Sequence, residues 1–393
     1  MTLLAIPLVS GLVGWGTNAL AIKMLFSPLR RRGLGPLGWQ GILPANAERM
    51  ARICVRLMTQ RLLNVQEAFE RLDPERVAEL LGPTLERHAI EIVEDLVSNR
   101  YPKVWEALPD RVRERARERL RAEIPSVVQR FMDELRADLP RYLDIEGLVV
   151  DAFMNNRALL NQLFLECGGR EFRFIARSGL LFGGLFGGLQ AGVWALVQPG
   201  WFLPATGLLV GWATNWLALK MVFEPRHPRK LGPIRWQGLF LRRQPEVSEA
   251  YAAFFARHIL TPPALIDAVL RGAASDRLME LLQGYVTDAV DSATGSARPV
   301  VQLSVGTDAW RSLKADVGSR LSQRVPDQLR RLHDYAEDAL DLEKDLCARL
   351  QGLPPEDFEQ VLRPVFQEDE ATLIAVGAAL GGVAGVIQWL VVA

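Results

Sequence analysis

Residues Gly14 to Gly41, which read GWGTNALAIKMLFSPLRRRGLGPLGWQG, decide how the rest of the chain is interpreted. The stretch returns without a gap as GWATNWLALKMVFEPRHPRKLGPIRWQG from Gly211 to Gly238, and most aligned positions are identical. A repeat of this length predicts an internally duplicated architecture. Each copy begins apolar and ends in a basic loop rich in proline, glycine and tryptophan, which is typical of a membrane span meeting its interface.

Four apolar segments are long enough to cross a bilayer, since roughly 20 helical residues span a hydrocarbon core. The first ends at Phe26 and carries one charge, Lys23, close to its end. The tract from Ile175 to Phe223 is too long for a single span, and a Gln-Pro-Gly sequence at residues 198–200 predicts a turn within it. The sequence therefore predicts transmembrane helices at residues 1–26, 175–197, 201–223 and 371–393.

Charged residues fill the two blocks between the spans, at residues 27–170 and 224–370. Apolar residues recur there every three to four positions, which predicts amphipathic helices. Asp73-Pro74-Glu75 predicts a helix start with Asp73 as N-cap, and helix breaks are predicted at Pro109, Pro125 and Pro140. The predicted fold class is an all-α membrane protein with four transmembrane helices in two parallel internal repeats, each with a cytoplasmic amphipathic helical bundle.

Basic residues flank the predicted spans on one side only, at residues 30–32, 170–177 and 226–230. The positive-inside rule then places both charged blocks in the cytoplasm and both termini in the periplasm. Each repeat starts and ends on the same side, so the two halves are expected to be related by a pseudo-twofold axis along the membrane normal.

Several function classes find no support in the composition. The chain has 46 basic and 46 acidic residues, so no general attraction to nucleic acid is expected. The three cysteines and four histidines show no ligand spacing, which argues against a disulfide framework and a zinc site. No P-loop, GxSxG or HExxH motif occurs. We expect a protein that is not an enzyme, with no cofactor, no metal and no catalytic residue.

Polar residues repeat inside the predicted spans and form the candidate intramembrane site: Thr17, Asn18, Lys23, Thr214, Asn215 and Lys220. The simplest interpretation is interhelical hydrogen bonding, worth about 1 kcal/mol or less per bond. One alternative arranges these residues around the pseudo-twofold axis as a polar path for an ion or small anion. Another makes the lysines part of a lipid-headgroup site.

Glycines recur every four residues in the second and fourth predicted spans, at Gly179, Gly183, Gly187, Gly377, Gly381 and Gly385. Such faces predict close helix packing, with self-association of two chains as the alternative use. The repeated loops hold candidate contacts to membrane lipids: Arg30, Arg31, Arg32, Trp39, Arg229, Lys230 and Trp236. Their positive charge is a topology signal, and binding of anionic lipid is the functional alternative.

The two copies of the motif, together with LPPEDFEQVLRPVFQEDE at Leu353–Glu370, resemble the YjiN/YheB-like bacterial membrane family over the full chain. That family is catalogued as a domain of unknown function. The resemblance implies a multi-pass protein of the bacterial inner membrane and supplies no catalytic residues. The first half departs from the pattern, because residues 156–170 contain no close counterpart of PPEDFEQVLRPVF.

Two function classes follow from these observations. A membrane-anchored scaffold or interaction protein, binding a protein partner through its cytoplasmic helices, is favoured by the large charged blocks on a small membrane part. A transporter or channel is favoured by the repeated polar residues inside the spans, and requires a homodimer because four helices make a thin transport core. Binding of anionic lipid is a further alternative.

Overall fold

The computed structural model describes residues 2–33, 38–102, 106, 109–196, 201–231, 234–272, 275–294 and 306–392. The regular secondary structure of this part of the chain is helical apart from one short two-stranded ribbon, which agrees with the predicted all-α class. The predicted turn at residues 198–200 lies outside it.

The helices, numbered in chain order over the described residues, are α1 (Thr2–Phe26), α2 (Ile42–Ala45), α3 (Ala47–Leu57), α4 (Val65–Glu70), α5 (Pro74–Arg100), α6 (Asp110–Ala137), α7 (Leu139–Tyr142), α8 (Ile145–Asn155), α9 (Arg157–Trp194), α10 (Phe202–Phe223), α11 (Leu239–Arg242), α12 (Gln244–His258), α13 (Pro262–Arg271), α14 (Ser275–Thr294), α15 (Thr307–Leu329), α16 (His333–Leu340), α17 (Leu342–Gln351) and α18 (Pro355–Val392). A π-helical turn, Met58–Leu62, follows α3, and a 3-10 turn, Arg330–Leu332, precedes α16. Strands β1 (Arg229–Leu231) and β2 (Ile234–Trp236) pair antiparallel.

The chain folds into two compact units, each assembled from separate stretches of sequence. Unit 1 comprises Met1–Leu63, Val149–His258 and Glu343–Ala393. Unit 2 comprises Asn64–Leu148 and Ile259–Leu342. Each unit therefore draws helices from both halves of the duplicated sequence.

Four long helices form the apolar part of unit 1. Helix α1 packs along α9 and α10 packs along α18, while α9 also contacts α10 and α1 contacts α18. Two described segments, Ile6–Phe26 and Phe202–Phe223, are long and apolar enough to cross a membrane. They cover the predicted spans at residues 1–26 and 201–223. The predicted spans at residues 175–197 and 371–393 overlap the longer helices α9 and α18, and in α18 a shorter apolar stretch covers Ile374–Leu390.

A belt of exposed apolar side chains surrounds these four helices. Most of the large apolar residues that are exposed in the described chain lie on them: Leu8, Val9, Leu12, Trp15, Leu20, Leu165, Leu180, Leu181, Leu185, Leu189, Val193, Leu208, Leu209, Trp212, Trp216, Val383, Val386, Ile387, Trp389 and Leu390. Leu29, Trp39, Leu196, Trp201 and Trp236 are the exceptions. A continuous apolar surface of this kind would be unfavourable in water and is expected against lipid.

Unit 2 is a packed set of amphipathic helices in which α5, α6, α14 and α15 contact one another. Its core joins Ile92 and Leu96 of α5 to Val290 of α14 and Trp310 of α15. The structure differs here from the expectation of a separate bundle in each repeat, because helices from both charged blocks share one core. Helical periodicity shows that a face is buried, but it does not specify which helix covers that face.

Two local predictions for unit 2 have different outcomes. Helix α5 starts as predicted at Pro74, and the Asp73 side chain accepts a hydrogen bond from the Glu75 backbone N–H at 3.0 Å. The predicted break at Pro125 is wrong, because α6 continues through it. Apolar residues on both sides of Pro125, including Ile124 and Val128, are buried. Burying each contributes about 1.5–3 kcal/mol, which together offsets the roughly 3 kcal/mol that an internal proline costs a helix.

Candidate functional site

The first helix pair, α1 with α9, is held together at glycines where the two backbones touch. A Cβ atom added to Gly14 would collide with the carbonyl oxygen of Gly179. A Cβ on Gly183 would lie 2.5 Å from the carbonyl oxygen of Ser10, and one on Gly187 would lie 2.6 Å from the Ser10 Cβ. Any larger residue would push the helices apart, so glycine is required for this approach.

The second pair, α10 with α18, is built in the same way. A Cβ on Gly211 would collide with the carbonyl oxygen of Gly377, and one on Gly207 with that of Gly381. Gly385 lies equally close to the Leu203 backbone. Both copies of the duplicated motif thus place their glycines in backbone contact with a glycine-rich partner helix.

Asn18 and Asn215 line one buried cavity of about 20 Å³ in unit 1. Its other lining residues are apolar and include Phe172 and Leu219. The Asn18 side chain donates from Nδ2 to the carbonyl oxygen of Ile175 on α9 at 2.7 Å, which is an interhelical hydrogen bond. A cavity of this volume holds about one water molecule and is too small for a hydrated ion.

Thr17 and Thr214 line a second cavity, also of about 20 Å³. Each hydroxyl donates to a carbonyl oxygen three residues earlier in its own helix, Thr17 to Gly14 at 3.1 Å and Thr214 to Gly211 at 3.2 Å. The structure therefore brings the two copies of the Thr-Asn pair together in two adjacent layers, one lined by threonines and one by asparagines.

A chain of hydrogen-bonded side chains links all four helices beyond the threonine layer. Gln190 donates to the Thr206 hydroxyl at 2.8 Å, and the Ser10 hydroxyl lies 3.4 Å from Gln190 Oε1. Gln388 completes the chain with Nε2 at 3.4 Å from the Ser10 hydroxyl. Ser10 and Thr206 were not identified as site residues from the sequence. The signal for Ser10 is its position one helical turn before Gly14, on the same face of α1.

Lys23 and Lys220 do not approach either cavity. Both are exposed, and the Lys220 ammonium pairs with Glu224 at 3.5 Å and lies 4.8 Å from the centre of the Trp216 ring. Each lysine follows its asparagine by five residues, which rotates it by about 140° around the helix. The lysine therefore cannot share the face that carries the asparagine.

The described parts of the two repeated loops pair their backbones at matching positions. The backbones of Arg32 and Trp39 exchange hydrogen bonds of 2.8 and 2.7 Å in the first loop, and Arg229 pairs with Trp236 in the second. A Cβ on Gly41 would lie 2.7 Å from the Ser27 backbone nitrogen, so glycine is required there.

The glutamine before that glycine bonds a backbone carbonyl in both copies: Gln40 bonds Leu29 at 2.9 Å and Gln237 bonds Arg226 at 3.0 Å. Arg30, Arg31, Arg32, Trp39, Arg229 and Trp236 are exposed. The side chain of Lys230 lies outside the described part of the structure. The repeated backbone pairing therefore holds an exposed arginine and an exposed tryptophan side by side in each loop, Arg32 with Trp39 and Arg229 with Trp236.

Two buried carboxylates in unit 1 were missed by the sequence analysis. Glu171 accepts bonds of 2.6 and 2.8 Å from Nη1 of Arg243, and Glu359 accepts a bond of 2.5 Å from Nε of Arg226. Burial is the largest single effect on the pKa of Arg243 and lowers it, but the hydrogen bonds and charge attraction of Glu171 and Glu246 together raise the pKa above its usual value. Both buried carboxylates form salt bridges with their arginines. Glu171 is the one acidic residue within the basic run before the second predicted span.

Helix α6 of unit 2 carries an arginine at every second position from Arg111 to Arg121. Three of them pair with carboxylates: Arg113 with Asp110 at 3.6 Å, Arg117 with Glu94 at 2.9 Å and Arg121 with Glu86 at 2.6 Å. The other three, Arg111, Arg115 and Arg119, are exposed and make no ion pair or hydrogen bond with the residues that the structure describes. We call these three the arginine row. Their spacing of four residues puts them on one face of α6.

The resemblance to an uncharacterised membrane family is confirmed by comparison with known proteins. The chain is 23% identical to a protein of Synechococcus sp. that is named a UPF0754 membrane protein, over 98% of this chain and 95% of that protein. A UPF0754 membrane protein of Synechococcus elongatus matches with the same identity and coverage. No family model and no solved structure matches the chain. The chain is therefore similar, nearly end to end, to bacterial membrane proteins of uncharacterised activity.

Proposed function

We propose that this protein is a membrane-anchored scaffold whose charged helical unit binds an acidic segment of a partner protein. The observation that carries the proposal is the arginine row of Arg111, Arg115 and Arg119. Like charges one helical turn apart destabilise a helix by about 0.2–0.5 kcal/mol per pair. Among the residues that the structure describes, carboxylates pair with the alternating arginines of α6 but not with this row, so we infer that a partner's carboxylates provide the balancing charge.

The geometry of the row favours a helical or extended acidic segment over nucleic acid. Three guanidinium groups at four-residue spacing extend over about 12 Å, since a helix rises 1.5 Å per residue. Carboxylates accept bidentate hydrogen bonds from arginine, which adds orientation to charge attraction. The chain as a whole has no net charge, whereas nucleic-acid binding draws on an extended basic surface.

The proposed role of the apolar helices is to anchor the charged unit. We infer four spans in two parallel repeats, including residues 175–197 and 371–393, in the bacterial inner membrane. The exposed apolar belt and the matching glycine contacts of α1–α9 and α10–α18 support that arrangement. The basic loops support cytoplasmic charged blocks and periplasmic termini.

A non-catalytic role is part of the proposal. The two buried carboxylates of unit 1, Glu171 and Glu359, each accept a hydrogen bond from an arginine. A general acid or base would need access to a substrate. The ion pairs instead connect the helices on which they lie.

Site-specific photo-crosslinking in living cells tests the scaffold proposal. A benzophenone side chain at position 115 lies within the arginine row, whereas one at Gln129 lies on an exposed turn of the same helix outside it. We expect one defined protein adduct from position 115, whose crosslinked peptide is rich in Asp and Glu, and no adduct from position 129. Equal adducts from both positions, or none from position 115, would refute the proposal.

A transporter or channel is the second candidate, since the polar pairs from both copies line shared cavities. Each cavity has a volume of only about 20 Å³. Permeation would therefore require a wider arrangement of the same helices, for example in a homodimer. Loss of a measured flux in an Asn18→Leu/Asn215→Leu variant would favour this candidate.

A further inference from the structure

A cleft of about 100 Å³ opens between α10 and α18 and has no role in the scaffold proposal. Its charged lining residues are Lys220 and Glu224 from the end of α10, and Arg363 and Glu370 from α18. Trp216 forms part of its wall. The cleft has about five times the volume of either cavity between the helices, and it is the one of the three in which cations and carboxylates meet.

The charges of the cleft are balanced but not fully paired within the chain. Lys220 pairs with Glu224 at 3.5 Å, with both side chains nearly half exposed, and Arg363 pairs with the buried Glu359. Glu370 makes no ion pair with any residue that the structure describes. A carboxylate beside apolar helices is unfavourable unless a cation accompanies it.

The surroundings of the cleft are those of a lipid-facing surface. Trp212 and Trp216 are exposed on α10, and their rings stack at 5.8 Å. The Lys220 ammonium lies 4.8 Å from the Trp216 ring centre. Tryptophan and lysine at the end of an apolar helix are typical of the headgroup level of a membrane.

We propose that this cleft binds the headgroup of a zwitterionic phospholipid that carries a primary amine. The phosphate lies between Lys220 and Arg363, which are the two cations, and the ammonium donates to Glu370 and Glu224. Two cations and two carboxylates give the cleft no net charge, which matches a headgroup with one positive and one negative group. A purely anionic headgroup would meet the carboxylates without compensation, and a quaternary amine has no N–H to donate to them.

The first copy of the motif lacks this arrangement and provides a matched control. The residues of α1 that correspond to Trp216, Lys220 and Glu224 are Ala19, Lys23 and Ser27. Lys23 is exposed at the end of its helix, as Lys220 is, but no carboxylate follows it one turn later. The site is therefore specific to the second half of the chain.

Native mass spectrometry of the full-length protein, released from nanodiscs of equal parts phosphatidylethanolamine, phosphatidylglycerol and phosphatidylcholine, tests the proposal. We expect the wild-type protein to retain phosphatidylethanolamine at least about tenfold over either other lipid. Lys220→Gln and Glu370→Gln should each abolish that preference, whereas Lys23→Gln should leave it unchanged. Equal retention of the three lipids, or a preference for phosphatidylglycerol, would overturn the proposal. So would an equal effect of Lys23→Gln and Lys220→Gln.

Discussion

Asn18 and Asn215, which hold the same position in the two copies of the motif, line a single buried cavity between α1 and α10. The asparagines are 1% and 3% exposed, and Asn18 bonds the Ile175 carbonyl oxygen of a third helix. The two copies therefore meet at their buried asparagines. The Asn18 contact is an interhelical hydrogen bond. The cavity, of about 20 Å³, holds one water molecule and is too small for an ion permeation path.

Replacing both asparagines with leucine should weaken the membrane unit only slightly. The Asn18 bond to Ile175 is lost, and such interhelical bonds contribute about 0.6 kcal/mol on average in a membrane protein. We expect a small fall in the free energy of unfolding, measured by detergent-dependent denaturation, and unchanged ion flux in proteoliposomes. A large loss of ion flux in a variant that still folds would instead assign the two asparagines to a permeation path.

Glycine-to-alanine substitutions should distinguish glycines of α1 that touch the partner helix from glycines of α1 that do not. Gly14→Ala forces a Cβ into the backbone of Gly179, whereas Gly16 has no atom within 4 Å of such a Cβ. Overpacking costs about 1–3 kcal/mol, and alanine is favoured over glycine in a helix by about 0.5–1 kcal/mol. Gly14→Ala should therefore lower the unfolding free energy while Gly16→Ala leaves it equal or raises it. Equal effects of the two would mean that α1 and α9 do not pack as described.

The buried ion pair between Glu171 and Arg243 should be important for the stability of unit 1. Glu171→Gln removes the carboxylate and leaves the guanidinium, whose side chain is 18% exposed, with weaker partners. Breaking a buried pair costs about 3 kcal/mol at the lower end of the usual range. The control is Glu246→Gln, because Glu246 also pairs with Arg243 but is 54% exposed. The melting temperature should fall more in Glu171→Gln than in Glu246→Gln. An equal fall in the two variants would contradict the buried pairing.

Thiol labelling should distinguish the three cysteines of the folded protein. Burial raises the pKa of Cys54 to about 12 and also raises that of Cys167. The fraction of Cys54 thiolate at pH 8 is then about one in ten thousand. Maleimide should label the partly exposed Cys347 first, and the other two only after unfolding. The measurement is peptide mass spectrometry after a timed labelling reaction.

The same pKa shift predicts how stability depends on pH. The Cys54 thiol ionises near 9.0 when it is not buried and near 12 in the folded protein. Its contribution to stability is therefore complete below pH 9 and is lost as the pH rises from 9 towards 12. A Cys54→Ser variant should show a smaller alkaline loss of unfolding free energy than the wild type does, and an identical loss would exclude Cys54 as a cause.

Part of this architecture could be predicted from the sequence because it depends on local chemistry. The start of α5 at Asp73-Pro74 is a property of the N-cap itself, and the glycine faces of α9 follow from four-residue spacing. Lys23 and Asn18 are both polar and repeated, which places them in one candidate site, but their five-residue separation turns them to different faces of α1. That difference follows from the geometry of a single helix.

Other features could not be predicted because they depend on partners that are distant in sequence. The pairing of Glu171 with Arg243, and the shared core of α5 with α14 and α15, require knowledge of which helices pack together. Helix α6 continues through Pro125 because burial outweighs a local break signal. The arginine row depends on which arginines of α6 pair with distant carboxylates, such as Arg117 with Glu94 and Arg121 with Glu86, and all six arginines look alike in sequence.

The orientation of the chain in the membrane has a separate test. A reporter joined after Ala393 should report a periplasmic location if the basic loops and both charged blocks face the cytoplasm. The same reporter inserted after Asn155, between α8 and α9, should report a cytoplasmic location. A cytoplasmic signal from the fusion after Ala393 would contradict four spans in two parallel repeats.

The scaffold account is tested most directly by the yield of the crosslink from position 115, measured in parallel in three proteins. These are the otherwise wild-type chain, an Arg111→Glu/Arg119→Glu variant and an Asn18→Leu/Asn215→Leu variant. The account predicts that the charge reversal abolishes the adduct and that the asparagine variant retains it at the wild-type level. Retention of the adduct after charge reversal, or its loss in a folded asparagine variant, would contradict the account.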